Sequence, residues 1–394
     1  MYLTGNGEWK SYMEHPGAMP IYTAREKMKQ MSTEEAGQYM KNKKNQLRLI
    51  FWELTEGCNL KCVHCRATAQ PQRNPDELST EEAFRMIDEI AGFANPIIIL
   101  TGGEPLYRPD IFEIAGYATS KGLRIALASN GTLINEEMAK KIKKAGVQRV
   151  SISLDGARQE THDQFRGIHG AFQTALNGAR HLVNQGVPIQ FNTTITTHNV
   201  QEIEQVMQLA LDEKATALHL FMLVPVGCGA QLSATQMIPA AEYERVLNWF
   251  YDQSLKVPLE LKATCAPHYF RIMRQRAKAE GIQVTSKTHG MAAMTKGCLA
   301  GTGVCFLSHK GIVQPCGYLP VEAGNIRRQT IQEIWEGSEI FSQLRDTANL
   351  KGKCGICEYR NVCEGCRARA YGMTGDLLAE EPFCIYQPKQ AVSD

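Results

Sequence analysis

The stretch Glu56-Gly57-Cys58-Asn59-Leu60-Lys61-Cys62-Val63-His64-Cys65 decides how this chain is interpreted. Its three cysteines have the spacing C-x3-C-x2-C, and three thiolates so close in sequence can hold three irons of a [4Fe–4S] cluster. No fourth cysteine is near in the sequence, so one iron keeps a position for a ligand from outside the protein. A zinc site more often shows paired C-x2-C motifs. A disulfide framework does not suit a chain of 394 residues without a secretory signal.

A second motif follows the next apolar run of the chain. The cysteines come after the apolar run Leu47–Leu54, and the run Pro96–Leu100 leads into Thr101-Gly102-Gly103-Glu104-Pro105. Short apolar runs of this kind are typical of buried strands. The combination of C-x3-C-x2-C and GGEP resembles the radical S-adenosylmethionine (SAM) superfamily. The resemblance implies that the open iron binds the amino and carboxylate groups of SAM. It also implies that Gly102 and Gly103 let the backbone approach the methionyl part, and that Glu104 accepts a hydrogen bond from the ammonium group.

The composition is that of a globular protein without a strong charge bias. Hydrophobic residues make up 43% of the chain and charged residues 21%, and the formal net charge is +2. Overall charge therefore does not predict a nucleic-acid partner. No apolar stretch reaches the roughly 18 residues of a membrane-spanning helix, so we expect no membrane partner. Thirteen cysteines in an intracellular chain indicate metal binding rather than disulfides, and the expected location is a reducing, oxygen-poor cytoplasm.

From about Leu47 the sequence alternates between apolar runs and amphipathic stretches. Strands are predicted at Leu47–Leu54, Pro96–Leu100, Arg124–Ser129, Arg149–Leu154, Pro188–Thr194 and Ala217–Leu223. Helices are predicted at Thr80–Phe93, Ile111–Lys121, Asn135–Ala145, Ala171–Gln185 and Val200–Asp212. Six such repeats predict an α/β fold with a parallel sheet. The resemblance implies an open, partial (β/α)6 TIM-like barrel, although periodicity alone leaves a doubly wound sheet open.

Polar residues follow the third and fourth predicted strands. Ligands of such barrels gather at the carboxyl ends of the strands. Ser129-Asn130 and Ser153-Leu154-Asp155 stand at these ends. The resemblance implies that Ser129, Asn130, Ser153 and Asp155 contact SAM. Simple loop capping is the alternative explanation for these residue types.

Four regions are predicted along the chain. Residues 1–46 are polar and irregular and form an N-terminal extension, with a short helical candidate around Thr33–Lys43. Residues 47–227 form the partial barrel. Residues 228–290 are a linker and candidate substrate-binding region, and residues 291–394 are a small, cysteine-rich domain.

The C-terminal region holds a second constellation of cysteines. Its eight members are Cys298, Cys305, Cys316, Cys354, Cys357, Cys363, Cys366 and Cys384. The segment Cys354–Cys366 reads C-x2-C-x5-C-x2-C and resembles the SPASM domain of radical SAM enzymes, although the last gap is one residue shorter than the usual three. The resemblance implies two auxiliary [4Fe–4S] clusters. One would take Cys298, Cys305, Cys316 and Cys366, and the other would take Cys354, Cys357, Cys363 and Cys384. A structural zinc ribbon over Cys354–Cys366 is the alternative, but it would leave the remaining cysteines surplus.

Five segments narrow the resemblance further. They are LKATCAPHY (261–269), GCLAGTGVCFLS (297–308), VQPCGYL (313–319), GKCGICEY (352–359) and GCRARAY (365–371). These segments resemble the AdoMet-dependent haem synthases of the sirohaem-based haem pathway. The resemblance covers the chain from about residue 47 to its end. It implies radical decarboxylation of two propionates of Fe-coproporphyrin III to vinyl groups, giving haem b. The reactive species would be a 5′-deoxyadenosyl radical formed from SAM, with no protein side chain as catalyst and a small redox protein as electron donor.

An iron porphyrin with four propionates needs cationic and apolar contacts together. Arg271, Arg274 and Arg276 crowd one short predicted helix and can pair with carboxylates, although a solvated helix face gives the same pattern. Cys265, His268 and Tyr269 are candidates for pocket residues, and Cys265 and His268 for axial ligands of the substrate iron. A buried, inert thiol is the alternative for Cys265. Weaker candidates for propionate contact are Arg66 and Arg166.

Three other functions stay open at this point. The same enzyme class could act on a related tetrapyrrole, didecarboxysirohaem, or on a peptide as a SPASM maturase. A maturase more often carries a strand-rich peptide-recognition module, and residues 1–46 do not resemble one. The third alternative is an electron carrier with several clusters, but a carrier needs no SAM pocket.

Overall fold

A computed structural model describes residues 2–3, 9–10 and 45–389 of the chain. The chain divides into two compact units, residues 1–46 and residues 47–394. In the first unit, β1 (Tyr2–Leu3) and β2 (Trp9–Lys10) pair as antiparallel strands. The helix predicted around Thr33–Lys43 lies outside the described residues.

A ten-stranded sheet forms the centre of the second unit. Its strands are β3 (Leu49–Glu53), β4 (Ile97–Thr101), β5 (Arg124–Ser129), β6 (Val147–Ser153), β7 (Ile189–Ile195), β8 (Ala217–Met222), β9 (Glu260–Thr264), β10 (Val304–Leu307), β11 (Ile312–Gln314) and β12 (Gly324–Asn325). Their spatial order is β12-β11-β10-β3-β4-β5-β6-β7-β8-β9. The strands from β10 through β3 to β9 are all parallel, whereas β11 and β12 continue the edge as antiparallel strands.

Helices connect the parallel strands, as the sequence predicted. They are α1 (Thr80–Phe93), α2 (Ile111–Ser120), α3 (Glu136–Lys144), α4 (Gln159–Arg166), α5 (Ala171–Asn184) and α6 (Ile203–Asp212). A capping box begins α1, because the Ser79 side chain accepts from the Glu82 amide and the Glu82 carboxylate accepts from the Ser79 amide. The alternation of strands and helices predicted between Leu47 and Leu223 is confirmed, and α4 is an additional helix.

The two faces of the sheet have different neighbours. Along β3, Ile50 and Trp52 are completely buried in the main hydrophobic core, whereas Leu49 and Phe51 border an interior cavity. Successive side chains of a strand point to opposite faces, so one face of the sheet packs on the helices and the other encloses the cavity. This is the arrangement of an open barrel covered on the outside by helices.

The parallel sheet extends beyond the six predicted repeats at both edges. Between β8 and β9 lie α7 (Gly229–Gln236) and α8 (Ala240–Ser254), and β9 pairs with β8. Part of the region 228–290 therefore belongs to the sheet. At the opposite edge β10 pairs with β3, so a segment after residue 300 completes the wall of the barrel.

The remaining helices lie after β9 and β12. They are α9 (His268–Ala279), α10 (Ser286–His289), α11 (Ile331–Gly337), α12 (Glu339–Arg345), α13 (Gly352–Ile356) and α14 (Arg367–Thr374). Within the part of the chain that the structure describes, no helix is both long enough and apolar enough to cross a membrane.

Candidate active site

Cys58, Cys62 and Cys65 lie in the loop that follows β3 and border the interior cavity. The Cys58 amide donates to the Gln70 carbonyl at 2.8 Å, and the Cys65 amide donates to the Cys62 carbonyl at 3.2 Å. The Cys58 sulfur accepts from the Leu60 amide at 3.4 Å. The pKa of the Cys58 thiol is raised to about 12, mainly by burial and to a lesser extent by the nearby Glu104, Cys62 and Cys65. Thiolates in such a place need a compensating cation, so the donor set fits an iron–sulfur cluster.

The GGEP segment lies directly on this loop. The Gly103 amide donates to the Thr55 carbonyl and the Glu104 amide to the Gly57 carbonyl, both at 2.8 Å. A Cβ atom on Gly102 would lie 2.7 Å from the Thr55 oxygen, and one on Gly103 would lie 2.5 Å from the Gly57 oxygen. The two glycines are therefore required by the close approach of the loops themselves, and both also border the cavity.

Glu104 lies beneath the glycines, completely buried, and does not border the cavity. Its Oε1 accepts from Ser129 Oγ at 2.9 Å and from the Leu106 amide at 3.2 Å, and its Oε2 accepts from the Asn130 amide at 2.8 Å. Burial raises the pKa of Glu104 to about 7, although these hydrogen bonds lower it. We expected its carboxylate to meet the SAM ammonium. The structure instead turns it inward, where it orients Ser129 and Asn130.

Asp155 differs from its prediction in the same way. It is completely buried, forms an ion pair with Arg166 and lies 3.6 Å from His64 Nε2. Burial alone would raise the pKa of Asp155, but the charge of Arg166 holds it below the ordinary value. Arg166 borders the cavity, and its Nη1 donates to the Cys62 sulfur at 3.6 Å. Asp155 therefore positions Arg166 beside the cysteine loop and does not reach the cavity.

The cavity has a volume of about 560 Å³ and runs along the inner face of the sheet. This is within the range of pockets that enclose a ligand of cofactor size. Of the predicted SAM contacts, Gly102, Gly103, Ser129, Asn130 and Ser153 border it.

The sequence prediction missed Asn192, Thr194 and Lys262, which also border the cavity. Gln190, Asn192 and Thr194 are polar residues at every second position of β7, between the apolar Ile189, Phe191 and Ile195. That alternation of polar residues is the signal that could have placed them on the inner face.

The cavity wall is cationic. Its charged side chains are Lys61, Arg66, Arg166, Lys262 and Lys296, and among the described residues no aspartate or glutamate borders it. Lys262 borders the cavity with an exposed side chain, and partial desolvation there lowers the pKa of its ammonium group. Its ammonium has no ion pair among the described side chains, whereas Arg66 pairs with Glu53 and Lys296 pairs with Glu364.

Cysteines of the C-terminal region reach the opposite wall of this cavity. Cys298, Cys316 and Cys366 border it, as does Cys265 at the end of β9. Cys305 does not border it and lies in the main hydrophobic core. The structure therefore brings together three of the four cysteines expected for this auxiliary cluster.

The other four predicted ligands enclose a second, much smaller cavity of about 30 Å³. They are Cys354, Cys357, Cys363 and Cys384. Glu364 and Gly365 both have a φ of +65°, a left-handed conformation that reverses the chain sharply. The short gap of two residues consequently places Cys363 and Cys366 at different cavities. No three Cys, His, Asp or Glu side chains of residues 45–389 are arranged as ligands of one single metal ion.

Comparison with known proteins agrees with this geometry. Residues 52–210 match the family model of the Radical SAM superfamily, and residues 298–367 match SPASM, an iron–sulfur cluster-binding domain. The chain is 57% identical over 344 residues to the AdoMet-dependent haem synthase of Methanosarcina barkeri, which is 87% of this chain and 98% of that protein. This chain belongs to the radical SAM superfamily. As a radical SAM protein with a SPASM domain, it is an enzyme that binds SAM with a [4Fe–4S] cluster and carries auxiliary iron–sulfur clusters.

Other similar proteins span both tetrapyrrole and peptide chemistry. The Fe-coproporphyrin III synthase of Methanosarcina barkeri is 33% identical over 371 residues, which cover 90% of this radical SAM chain and 91% of that protein. The structure of Streptococcus suis SuiB bound to S-adenosylmethionine has a TM-score of 0.69 at 15% identity, covering 90% of this chain and 81% of that one. At that identity the second similarity supports the radical SAM fold alone, and the predicted partial barrel with a SPASM domain is confirmed.

Most of the predicted substrate contacts of this radical SAM enzyme lie away from the large cavity. Of the six candidates, only Cys265 borders it. His268 and Tyr269 are buried where α9 packs on the core. Arg271 forms two hydrogen bonds with the Glu244 carboxylate, at 2.6 and 2.9 Å, and borders the small cavity.

The other two arginines of α9 are equally remote from the large cavity. Arg276 pairs with Asp252 at 2.7 Å and with Glu280 at 3.0 Å. Arg274 is half-buried and does not border the large cavity. The arginines of α9 lie away from the large cavity because α9 packs on α8, where Arg271 and Arg276 bind carboxylates of α8. The weaker candidates Arg66 and Arg166 are the ones that reach the large cavity.

Proposed function

We propose that this enzyme decarboxylates two propionates of Fe-coproporphyrin III to vinyl groups and thereby produces haem b. The observation that carries the proposal is the cavity wall, where five lysine and arginine side chains and, among the described residues, no carboxylate lie beside the three cysteines of the SAM cluster. Three of the five are held by carboxylates behind the wall, and the ammonium of Lys262 has no such ion pair among the described side chains. A substrate with four propionates requires such a wall, because a buried carboxylate is stable only beside a cation. The name of the relative at 57% identity, an AdoMet-dependent haem synthase, supports the same reaction.

The remaining wall suits a flat apolar macrocycle. Phe51, Phe221, Phe270 and Phe306 border the cavity together with aliphatic residues such as Leu299. Aromatic and aliphatic side chains gain free energy from covering the porphyrin ring, in proportion to the apolar area removed from water. The mixture of cations and apolar groups is the chemistry that an iron porphyrin needs.

The protein's own residues hold and orient the reactants. Cys58, Cys62 and Cys65 would hold the cluster, and Ser129, Asn130 and Ser153 would bind SAM beside it. When bound, the cluster and SAM supply a radical that removes a hydrogen atom from the substrate. Each propionate loses carbon dioxide, one hydrogen atom and one electron as it becomes a vinyl group. The enclosed cavity keeps water away from the substrate radical.

Lys262 and Arg166 would each bind a propionate of the substrate. Lys262 extends from β9, and Arg166 stands beside Cys62 at the end of α4. A propionate held by Arg166 would stand beside the cysteine loop, which is where hydrogen removal has to occur. Positioning of this kind lowers the barrier without any protein acid or base.

We further propose two auxiliary [4Fe–4S] clusters, a small redox protein as electron donor, and a cytoplasmic location. The two separate groups of cysteines at the large and small cavities support the number of clusters. An acceptor is required because each decarboxylation releases one electron, and iron–sulfur clusters serve over a wide range of potential. Thirteen unpaired cysteines suit a reducing compartment.

The test is an anaerobic assay of reconstituted protein with SAM, dithionite and Fe-coproporphyrin III. We expect two successive losses of carbon dioxide plus two hydrogens, with 5′-deoxyadenosine formed alongside each. Porphyrin left unchanged, with deoxyadenosine still formed, would contradict the substrate. The same assay with didecarboxysirohaem would then test the related tetrapyrrole.

A further inference from the structure

One of the four cysteines expected at the large cavity, Cys305, points away from it. Val304 and Phe306 on β10 both border the cavity, and Cys305 stands between them in the strand. Because successive side chains of a strand alternate, the Cys305 thiol points to the opposite face. There it is completely buried in the main hydrophobic core, beside the similarly oriented Ile50 of the paired strand.

Cys305 is also isolated from the other thiols. It belongs to the main hydrophobic core, whereas Cys366 belongs to a second hydrophobic cluster, against which Cys298 and Cys316 pack. A cubane needs ligands on all sides of one centre, so Cys305 cannot join this group without reversal of β10.

Cys265 occupies the place that Cys305 leaves open. It borders the large cavity, as do Cys298, Cys316 and Cys366. Cys265, Cys298 and Cys316 all pack against a second, separate hydrophobic cluster that contains Cys366. Four thiols from three different segments therefore meet at one wall of the cavity.

The backbone at Cys265 is held in a strained conformation. Its φ is +54°, which is uncommon for a residue with a side chain and persists only where the surroundings enforce it. The Cys265 carbonyl accepts from Arg369 Nη2 at 2.9 Å and from the Tyr243 hydroxyl at 3.0 Å. These two hydrogen bonds hold the loop after β9 in a conformation that directs the Cys265 thiol toward the cavity.

Arg369 also helps to hold the backbone of Cys366, through its ion pair with Glu381. Arg369 and Glu381 form an ion pair in which both side chains are completely buried. Glu381 Oε2 accepts from the Cys366 amide at 2.8 Å. One buried ion pair thus fixes the backbones of Cys265 and Cys366 together, although 101 positions separate the two residues in the sequence. A buried pair is costly to desolvate, and the fixed distance between two cluster ligands is a physical reason to keep it.

We propose that Cys265, and not Cys305, is the fourth thiolate of the auxiliary cluster at the large cavity, with Cys298, Cys316 and Cys366. The inference rests on the proposed presence of two auxiliary clusters. It makes the barrel sheet itself, through the end of β9, a ligand-bearing part of that cluster. A cluster with four protein thiolates has no iron open to the substrate, so it accepts electrons from the porphyrin and does not bind it.

The test compares full-length Cys265→Ala with Cys305→Ala as the matched control. Both changes are made in the otherwise unaltered chain and in a background that keeps only this cluster, with Cys58, Cys62, Cys65, Cys354 and Cys357 replaced by alanine. The readouts are iron and sulfide content and the electron paramagnetic resonance spectrum of anaerobic protein, oxidised and then reduced with dithionite. These readouts do not depend on turnover.

We expect Cys305→Ala to keep the iron content and spectrum of its parent. Cys265→Ala should lose one iron and show a three-iron signal when oxidised, or lose the cluster entirely. Cys265→Ser should retain the cluster with a shifted spectrum, because an oxygen replaces one sulfur ligand. That result would also show that the loop still folds.

The opposite pattern would overturn the inference: a Cys265→Ala protein with its parent's iron and spectrum, together with loss of the cluster in Cys305→Ala. If the unaltered chain holds only the iron of the SAM cluster, the proposed auxiliary clusters fail, and this inference fails with them. In either case deoxyadenosine formation from SAM in the unaltered chain reports separately on the radical SAM activity.

Discussion

Single residues act in this site through the charges that they bring into an enclosed space. Arg166 is buried yet reaches the cavity, and Lys262 borders the same cavity with an exposed side chain. A charge in such a place interacts more strongly with an opposite charge than it would in water. The binding of SAM and of a polyanionic substrate therefore depends on a few residues whose effects are separable.

Replacement of Cys62 tests the SAM cluster. Cys62→Ala should abolish formation of 5′-deoxyadenosine, because two thiolates cannot hold three irons of the cluster. The measurement is anaerobic chromatography of a mixture of protein, SAM and dithionite. Val63→Ala is the control, since Val63 lies in the same loop with 41% of its surface exposed. Persistent SAM cleavage in Cys62→Ala would remove the assignment of the cluster to this loop.

Replacement of Lys262 tests the propionate contact. A hydrogen bond to a charged group is worth about 1.5–3 kcal/mol, so Lys262→Met should raise the KM for Fe-coproporphyrin III roughly 10- to 100-fold. Lys262→Arg should retain most of the affinity, because the positive charge remains. Lys140→Met is the control, since Lys140 is an exposed lysine of α3. An unchanged KM in Lys262→Met would show that no carboxylate binds there.

At the scale of secondary-structure elements, the site depends on how closely two loops pack. The loops after β3 and β4 are joined by hydrogen bonds from Gly103 to Thr55 and from Glu104 to Gly57. Parallel pairing of β3 with β4 brings their carboxyl ends together, as expected for the active-site end of a barrel. The GGEP motif consequently shapes the cysteine loop as well as the SAM site.

Gly103→Ala tests this packing. The added Cβ would lie 2.5 Å from the Gly57 carbonyl oxygen, so the cysteine loop has to move. We expect reduced iron content in this variant. We also expect at least tenfold slower SAM cleavage, because an increase of about 1.4 kcal/mol in the activation free energy slows a reaction tenfold. Gly116→Ala in α2 is the control, since nothing lies within 4 Å of its added Cβ. Equal iron content and SAM cleavage in the two variants would show that the loop contact is unimportant.

The whole molecule carries buried histidines that make its stability depend on pH. Burial lowers the pKa of His64, His162 and His268 to about 4, and that of His219 well below its ordinary value. A histidine that must stay neutral in the folded state stabilises the fold above its unfolded pKa. This stability is lost as the pH falls below about 6.5. Glu104 contributes to the pH dependence of stability in the opposite direction, because its raised pKa favours the folded state at low pH.

His219→Gln isolates one of these contributions away from the cysteines. His219 lies on β8 with Nδ1 3.0 Å from Gln190 Nε2. Between pH 7.5 and pH 5 the unaltered protein should lose up to about 2 kcal/mol more unfolding free energy than the variant, since each pH unit below 6.5 costs about 1.4 kcal/mol per histidine. Anaerobic urea unfolding at both pH values measures the difference. Parallel curves for the two proteins would contradict the prediction.

The sequence by itself determined the repeating architecture and the chemical class. Apolar runs at regular spacing predicted β3 to β8, because the face of each strand that packs on the helices has to be apolar. The C-x3-C-x2-C motif was equally predictable as a cluster-binding loop, since its three thiols are neighbours along the chain. For the same reason the four cysteines at the small cavity were predictable as a group, because three of them lie in one short segment.

Only the tertiary structure decided which side chains reach the cavity. Glu104, Asp155 and Arg271 carry the charges expected of ligand-binding residues, but each is turned toward a partner from another element. Lys262 gave no signal because β9 has no continuous apolar run. Cys265 and Cys305 are both plausible thiol ligands in the sequence. Their difference arises from strand alternation in β10 and from the Arg369–Glu381 ion pair, and both depend on residues that meet only after the sheet has closed.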